Sequence, residues 1–219
     1  RQGSVALWRE GRTLAERVVT QTWRHGAHLF AALEAIHDDA GLAPTDIGLV
    51  AVSQGPGSFT GLRIGITAAR TAAHVLGKPI LGVPSLDVIA QNAPPEAERV
   101  AVILDAKRGD VYACLFRRVG GTLEPQMPYQ VVRPQALELP SPCTVLGNGI
   151  RVHAESLTGD GLNLAPADAW VPHAPVVARL AAERFAQGQR HELHALAPLY
   201  LRRPEAEDVW ERRHGKTPQ

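Results

Sequence analysis

The chain has 219 residues, of which 45% are hydrophobic and 21% charged, a composition typical of a globular protein with a sizeable core. No apolar run of roughly 18 residues occurs, so the sequence predicts no membrane-spanning helix. A formal net charge of +1 gives little general attraction to a nucleic-acid backbone, and the two cysteines, Cys114 and Cys143, are expected to be reduced thiols in a cytoplasmic protein.

The first half of the chain predicts an alternation of strands and helices. The elements follow in the order strand, strand, helix, strand, helix, strand, helix, over residues 5–8, 14–19, 29–40, 47–53, 60–76, 80–83 and 85–90. Leu29, Leu33 and Ile36 lie three or four residues apart, which predicts a helix with one apolar face. The apolar run over residues 47–53 is typical of a strand buried on both faces.

A proline-rich stretch over residues 94–98 predicts a boundary, after which a similar plan recurs. Strands are predicted over residues 100–104, 111–116, 129–133 and 144–146, and helices over residues 151–157 and 176–186. Two copies of one α/β plan imply two lobes that face a cleft. We therefore expect an N-terminal lobe over residues 1–95 and a C-terminal lobe over residues 96–219, whose last segment could return to the first lobe.

A glycine-rich turn over residues 54–65 lies between the third strand and the second helix. Free backbone N–H groups at a helix start favour an anion. However, a P-loop requires Lys and then Ser or Thr where this chain has Leu62 and Arg63, and a dinucleotide fingerprint requires glycine where it has Thr60. Anion binding and a purely structural turn both remain open. The candidates for binding an anion or nucleotide are Gly55, Gly57, Ser58, Thr60, Arg63 and Asp105.

The second helix carries a ridge of small residues at four-residue spacing, Gly61, Gly65, Ala69 and Ala73. A glycine inside a helix costs about 1 kcal/mol relative to alanine, so we expect a closely approaching neighbour that offsets this cost. That neighbour is either the chain's own sheet or the helix of a partner. The spacing alone leaves both alternatives open.

Signatures of catalysis and of metal binding are weak in this sequence. His25 and His28 lie three residues apart and could share one helix face, but no general base accompanies them, so we predict no metal site. Ser58 is not surrounded by a nucleophile-elbow pattern. Asp105 ends an apolar strand beside a turn, which it is expected to stabilise. The sequence therefore predicts no catalytic residue and no cofactor.

Five segments occur in an order that is typical of one protein family: residues 55–65, 84–86, 104–112, 147–149 and 198–202. On these segments the chain resembles the TsaB (YeaZ) family, paralogues of the transferase TsaD in the actin, Hsp70 and sugar-kinase superfamily. The resemblance implies the two-lobed α/β fold of that superfamily. It also implies a non-catalytic dimerisation and activating subunit of the complex that forms N6-threonylcarbamoyladenosine at position 37 of ANN-decoding tRNAs.

The resemblance also implies the partners of such a subunit, namely TsaD and the ATPase TsaE, with tRNA contacted only through the complex and a homodimer in isolation. In this family the two helices of the N-terminal lobe make the dimer contact. The matching candidates are His28, Leu29, Ala32, Leu33, Ile36, Gly61, Leu62, Gly65, Ala69 and Ala73. The alternative is an enzyme in its own right, either a glycoprotease-like peptidase or a nucleotide-hydrolysing enzyme.

One feature of the family has no counterpart in the sequence. Family members usually begin with a strand that ends in an Asp-Thr-type pair, ahead of the segment that matches residues 3–8. A sheet that lacks a central strand is difficult to stabilise, so we expect roughly ten further residues upstream in the native protein.

Overall fold

The computed structural model describes residues 3–19, 27–157 and 159–202, and every structural statement below refers to these residues. The strands are β1 (Gly3–Arg9), β2 (Arg12–Val19), β3 (Val50–Gly55), β4 (Ile80–Pro84), β5 (Arg99–Asp105), β6 (Val111–Val119), β7 (Thr122–Pro125), β8 (Gln130–Val132), β9 (Cys143–Leu146) and β10 (Leu162–Leu164). The helices are α1 (Ala27–Ala40), α2 (Phe59–Leu76), α3 (Ser85–Ala90), α4 (Gly149–His153) and α5 (Ala174–Ala186).

The largest sheet lies in the second half of the chain and has the order β10-β9-β5-β6-β7, with β8 also pairing with β6. Its central strand, β5, is antiparallel to β6 and parallel to β9, so the sheet is mixed. Val100 and Val102 of β5 pack with α3, whereas Ala101 and Ile103 pack with Ile150 of α4. Both faces of β5 are therefore covered, which explains its continuous apolar sequence.

The first half of the chain contains two separate pairs of strands. β1 and β2 form an antiparallel hairpin, whereas β3 and β4 are parallel. α1 packs against the hairpin and α2 packs against β3. α2 ends at Gly77, whose left-handed backbone is the usual way for glycine to terminate a helix.

Two segments from late in the chain pack on these first-half elements. α5 lies against β1, β3 and β4. Further on, His191 forms a β-bridge with Ile80, and Leu196 is fully buried in a cluster with Ile66 and Ile80. The division into lobes at residue 95 stays a prediction. Elements from either side of this residue pack together, as α5 does with β1 and α3 does with β5.

The α/β class and the order of the main elements agree with the sequence prediction. The predicted helix over residues 151–157 is a short helix, α4, followed by a 3-10 turn over Ala154–Ser156. β7 and β10, strands of four and three residues, were not predicted. In the part of the chain that the structure describes, no helix combines the length and apolar character required to cross a membrane.

Candidate functional site

The glycine-rich turn connects β3 to α2 and is organised around Ser58. The Gly61 N–H donates to Ser58 Oγ at 3.4 Å, and the Leu62 N–H donates to the Ser58 carbonyl oxygen at 2.8 Å. The peptide bond between Gly55 and Pro56 is cis, and both residues are buried. The Ser58 hydroxyl therefore acts as the N-cap of α2.

Arg63 is held by two aromatic side chains near the start of α2. Its guanidinium carbon lies 4.1 Å from the centre of the Phe59 ring, and its Nε donates to Tyr200 Oη at 3.2 Å. The rings of Phe59 and Tyr200 are themselves 5.7 Å apart. The hydrogen bond from Arg63 and the ring contact with Phe59 therefore hold Tyr200 against the first turn of α2.

Asp105 ends β5 and is bound to the turn that follows. Its Oδ1 accepts a hydrogen bond from the Lys107 N–H at 2.8 Å, and its Oδ2 forms an ion pair with Lys107 Nζ at 2.5 Å. The Asp105 N–H donates to Asn148 Oδ1 at 3.0 Å. Burial raises the pKa of Asp105. The hydrogen bonds and charge of Lys107, together with the charge of His153, lower it by a larger amount, so the pKa lies below its ordinary value.

Residues 196–202, here named the C-terminal strap, connect these two turns. At one end of the strap, the Leu199 N–H donates to the Gln54 carbonyl oxygen at 2.8 Å. At the other end, Arg202 Nη1 donates to the Ala106 carbonyl oxygen at 3.0 Å. The strap therefore fixes the position of the glycine-rich turn relative to the turn after Asp105.

A cavity of about 1820 Å³ opens beside these turns and extends along β1 and β3. Four of the anion candidates line it: Gly57, Ser58, Thr60 and Asp105. Gly55 is buried beneath the turn, and Arg63 is held by Phe59 and Tyr200. The structure thus brings only part of the predicted set to one cavity, and anion binding stays a prediction.

The ridge of small residues on α2 faces the interior of the chain. Ala73 is 1% exposed and packs with Ile66 and Ile80. A Cβ atom added at Gly65 would lie 3.7 Å from Val52 Cγ2 in β3. The chain's own sheet therefore contacts this ridge at Gly65 and Ala73, and contact with the helix of a partner stays a prediction.

The other interface candidates range from buried to exposed. Leu29 and Ile36 of α1 are buried against β1 and β2, and only His28 of the α1 candidates is exposed. The half-buried candidates are Ala32, Leu33, Gly61, Leu62, Gly65 and Ala69. Leu29, Ile36 and Ala73 are buried because an amphipathic helix turns its apolar stripe toward its own core. The half-buried candidates keep part of their surface in solvent, and the interface assignment stays a prediction.

The solvent-facing sides of α1 and α2 carry apolar residues that the sequence interpretation missed. Phe30 of α1 is 62% exposed and Val75 of α2 is 75% exposed. We give the name outer face to six of the exposed residues on these two helices: Phe30, Ala31 and Glu34 of α1, and Thr67, Thr71 and Val75 of α2. Thr67, Thr71 and Val75 lie four residues apart and so share one side of α2. Only Val75 among them is apolar, so this pattern did not indicate an apolar surface.

A buried charged cluster joins α3, α5 and the segment before β8. Asp87 of α3 is 5% exposed, and its Oδ1 accepts a hydrogen bond from Tyr129 Oη at 2.6 Å. Its Oδ2 is paired with the guanidinium of Arg184 in α5. Burial, followed by the negative charge of Asp87, raises the pKa of Tyr129 well above its ordinary value. Both carboxylate oxygens are therefore paired, and the cluster holds α5 against α3.

Side chains suited to metal or thiol chemistry are dispersed or buried. Among residues 3–19, 27–157 and 159–202, no three His, Cys, Asp or Glu side chains lie close enough together to hold a metal ion. His25 lies outside the described residues, so its pairing with His28 is not tested. Cys114 and Cys143 are buried free thiols, and burial raises their pKa values to about 12 and about 11.

Comparison with known proteins shows the family of the chain. The family model described as "TsaD: tRNA N6-adenosine threonylcarbamoyltransferase" matches residues 13–210. The Bacillus subtilis "tRNA threonylcarbamoyladenosine biosynthesis protein TsaB" is 34% identical, over 94% of this chain and 92% of its own length. The Escherichia coli protein of the same name is 30% identical, over 97% of this chain and 94% of its own length. The chain belongs to the TsaB (YeaZ) family.

Solved structures agree with this family and with the predicted fold class. YeaZ from Pseudomonas aeruginosa has a TM-score of 0.82 at 30% identity, covering 91% of this chain and 94% of that chain. A second Pseudomonas aeruginosa structure, of an uncharacterized protein with similarity to peptidase YEAZ, has a TM-score of 0.83 and also 30% identity, covering 92% and 94%. The α/β fold expected from the resemblance is therefore confirmed.

Proposed function

We propose that this chain acts in the biosynthesis of N6-threonylcarbamoyladenosine in tRNA, as a docking and activating subunit for a TsaD-type transferase. The observation that carries this proposal is the outer face of α1 and α2, where Phe30 and Val75 are exposed by 62% and 75%. α1 and α2 pack together in one cluster, so an apolar patch shared by their outer sides would suit a protein partner. Similarity to proteins named TsaB identifies the pathway in which such a partner would be found.

The contacts of the polar candidates support a subunit rather than a peptidase. Ser58 is the N-cap of α2, and Asp105 is paired with Lys107 in its own turn. A serine nucleophile requires a base within hydrogen-bonding reach, whereas the contacts of Ser58 here are with the first turn of its own helix. We therefore propose that the transfer chemistry takes place on TsaD, and that TsaE and tRNA are engaged through the assembled complex.

A homodimer in isolation follows from the same surface. Without TsaD, the outer face would leave Phe30 and Val75 in water, and a two-fold pairing of identical patches would cover both copies. We propose that self-association and TsaD binding compete for this face. Added TsaD should therefore convert the homodimer into a heterodimer without forming a ternary species.

Binding to TsaD tests the proposal. Val75→Arg places a charge in the outer face and should weaken TsaD binding by about 30-fold, as expected where an interface residue contributes about 2 kcal/mol. Val119→Arg is the matched control, because Val119 is 50% exposed at the end of β6, in the other half of the chain. Calorimetry or sedimentation that finds equal TsaD affinities for both variants would contradict the assignment of the docking face.

A further inference from the structure

The turn between β5 and β6 concentrates charged side chains. Its two carboxylates belong to Asp105, at the end of β5, and to Asp110, just before β6. Positively charged side chains at the turn outnumber them. The turn itself contains Lys107 and Arg108, and two guanidinium groups bind it from elsewhere in the chain, those of Arg133 and Arg202. The described residues at this turn therefore carry a surplus of positive charge.

The negative charges of the turn lie beneath the positive ones. The Asp105 and Asp110 side chains are only 7% and 18% exposed. Their partners Lys107 and Arg133 have side chains that are 80% and 64% exposed. Arg133 Nε lies 3.0 Å from Asp110 Oδ1, so the ion pair holds this guanidinium on the turn. Arg108 is also exposed, so the side of the turn that meets solvent is cationic.

The backbone of the turn is held in one unusual conformation. Lys107 and Arg108 have φ angles of 63° and 58°, in the left-handed region that residues other than glycine rarely adopt. Arg202 Nη1 donates to the Lys107 carbonyl oxygen at 3.3 Å. Arg133 Nη1 donates to the Arg108 carbonyl oxygen at 3.1 Å. Surrounding contacts of this kind sustain a strained backbone, and a backbone that is already ordered lowers the entropic cost of binding a ligand.

We propose that Lys107, Arg108 and Arg133, here named the cationic surface, contact the phosphodiester backbone of tRNA in the assembled complex. This inference rests on the proposed function, because tRNA is the substrate of the complex in which the chain is proposed to act. Lys and Arg side chains neutralise phosphates and release the counterions bound to them. Contacts of this kind position a nucleic acid without reading its base sequence.

The charge distribution favours a local contact over a general attraction. The formal net charge of the whole chain is only +1, which gives a weak overall field. An acidic protein surface is the competing partner for an exposed group of cations. The names of the relatives favour tRNA, because tRNA is a polyanion and their printed role is in tRNA threonylcarbamoyladenosine biosynthesis.

The test measures tRNA affinity of the complex of this chain with TsaD, between about 50 and 200 mM KCl, by filter binding. Lys107→Gln combined with Arg108→Gln removes two charges from the cationic surface. Lys107→Arg combined with Arg108→Lys keeps both charges. The matched control is Arg9→Gln combined with Arg12→Gln, because these two arginines are exposed and face each other across the β1–β2 hairpin. Circular dichroism shows that each variant is folded.

Each lost phosphate contact should reduce the slope of log affinity against log salt by about 1. The double glutamine variant of the cationic surface should therefore have a slope reduced by about 2, and its tRNA affinity at about 100 mM KCl should fall roughly tenfold or more. The variant that keeps both charges and the hairpin control should match the unsubstituted chain. All four forms should bind TsaD equally, since the proposed docking face lies on α1 and α2.

Three results would overturn the cationic surface and leave the docking proposal intact. One is an unchanged salt slope in the double glutamine variant while its complex with TsaD still forms. Another is an equal loss of tRNA affinity in the hairpin control, which would indicate general attraction. The third is a loss of TsaD affinity in the double glutamine variant, which would assign the surface to a protein partner. Failure of the unsubstituted chain to bind TsaD would instead contradict the proposed function, on which this inference rests.

Discussion

The buried cluster around Asp87 gives the sharpest stability prediction. Asp87 is 5% exposed, and its partner Arg184 has a side chain that is 25% exposed. Arg184→Ala would leave the Asp87 carboxylate buried with only the Tyr129 hydroxyl as a partner. Removal of one member of a buried pair costs about 3–5 kcal/mol, so we expect the free energy of unfolding to fall by roughly that amount. Tyr129→Phe removes a single hydrogen bond to a charged acceptor and should cost about 1.5–3 kcal/mol.

Urea unfolding followed by circular dichroism measures these changes, and α5 provides a matched control. Arg179 pairs with Glu183 at 2.8 Å, but both side chains are more than a third exposed, at 36% and 45%. Arg179→Ala should therefore cost no more than about 1 kcal/mol. If Arg184→Ala costs as little as Arg179→Ala, or if Asp87→Ala and Arg184→Ala show no coupling in a double-mutant cycle, the cluster does not hold α5 in place.

Two further predictions concern buried residues of the C-terminal half. A Cβ atom at Gly147 would lie 2.2 Å from the Ile103 carbonyl oxygen, so Gly147→Ala should lower the free energy of unfolding by at least about 3 kcal/mol. The control is Gly121→Ala, whose Cβ would have nothing within 4 Å and which should cost only the backbone strain of about 1–3 kcal/mol. Similar melting temperatures for the two variants would refute this prediction. Burial raises the pKa of Cys114 to about 12 and that of Cys143 to about 11, whereas an unfolded thiol has a pKa of about 8.5, so the free energy of unfolding should fall as pH rises above about 8.5. Iodoacetamide at pH 8 should label both thiols only after unfolding, and rapid labelling of the native chain would contradict their burial.

The strands and helices were predictable where the sequence is strongly patterned. β5 is an apolar run because both of its faces are covered, and α2 has clear signals at each end, with Ser58 as N-cap and Gly77 after its last turn. The turn after Asp105 was also recognisable as a turn. These features depend on local sequence, which a pattern of residues reports directly.

The direction in which each helix face points could not be predicted in the same way. The ridge from Gly61 to Ala73 has a spacing that suits either a sheet or a partner helix, and only the position of β3 shows that Gly65 faces Val52. Likewise, Asp87 and Arg184 are 97 residues apart, and no local signal connects them. Contacts of this kind depend on the arrangement of distant elements, which is set by the packing of the whole chain.

Reconstitution of tRNA modification tests the central claim most directly. TsaD, TsaE and the enzyme that forms threonylcarbamoyl-adenylate are combined with an ANN-decoding tRNA, with and without this chain, and N6-threonylcarbamoyladenosine is measured by mass spectrometry. We predict that product forms only when the chain is present, that Val75→Arg reduces it and that Val119→Arg does not. Equal product without the chain, or peptidase or ATPase turnover by the isolated chain, would contradict its role as a docking subunit.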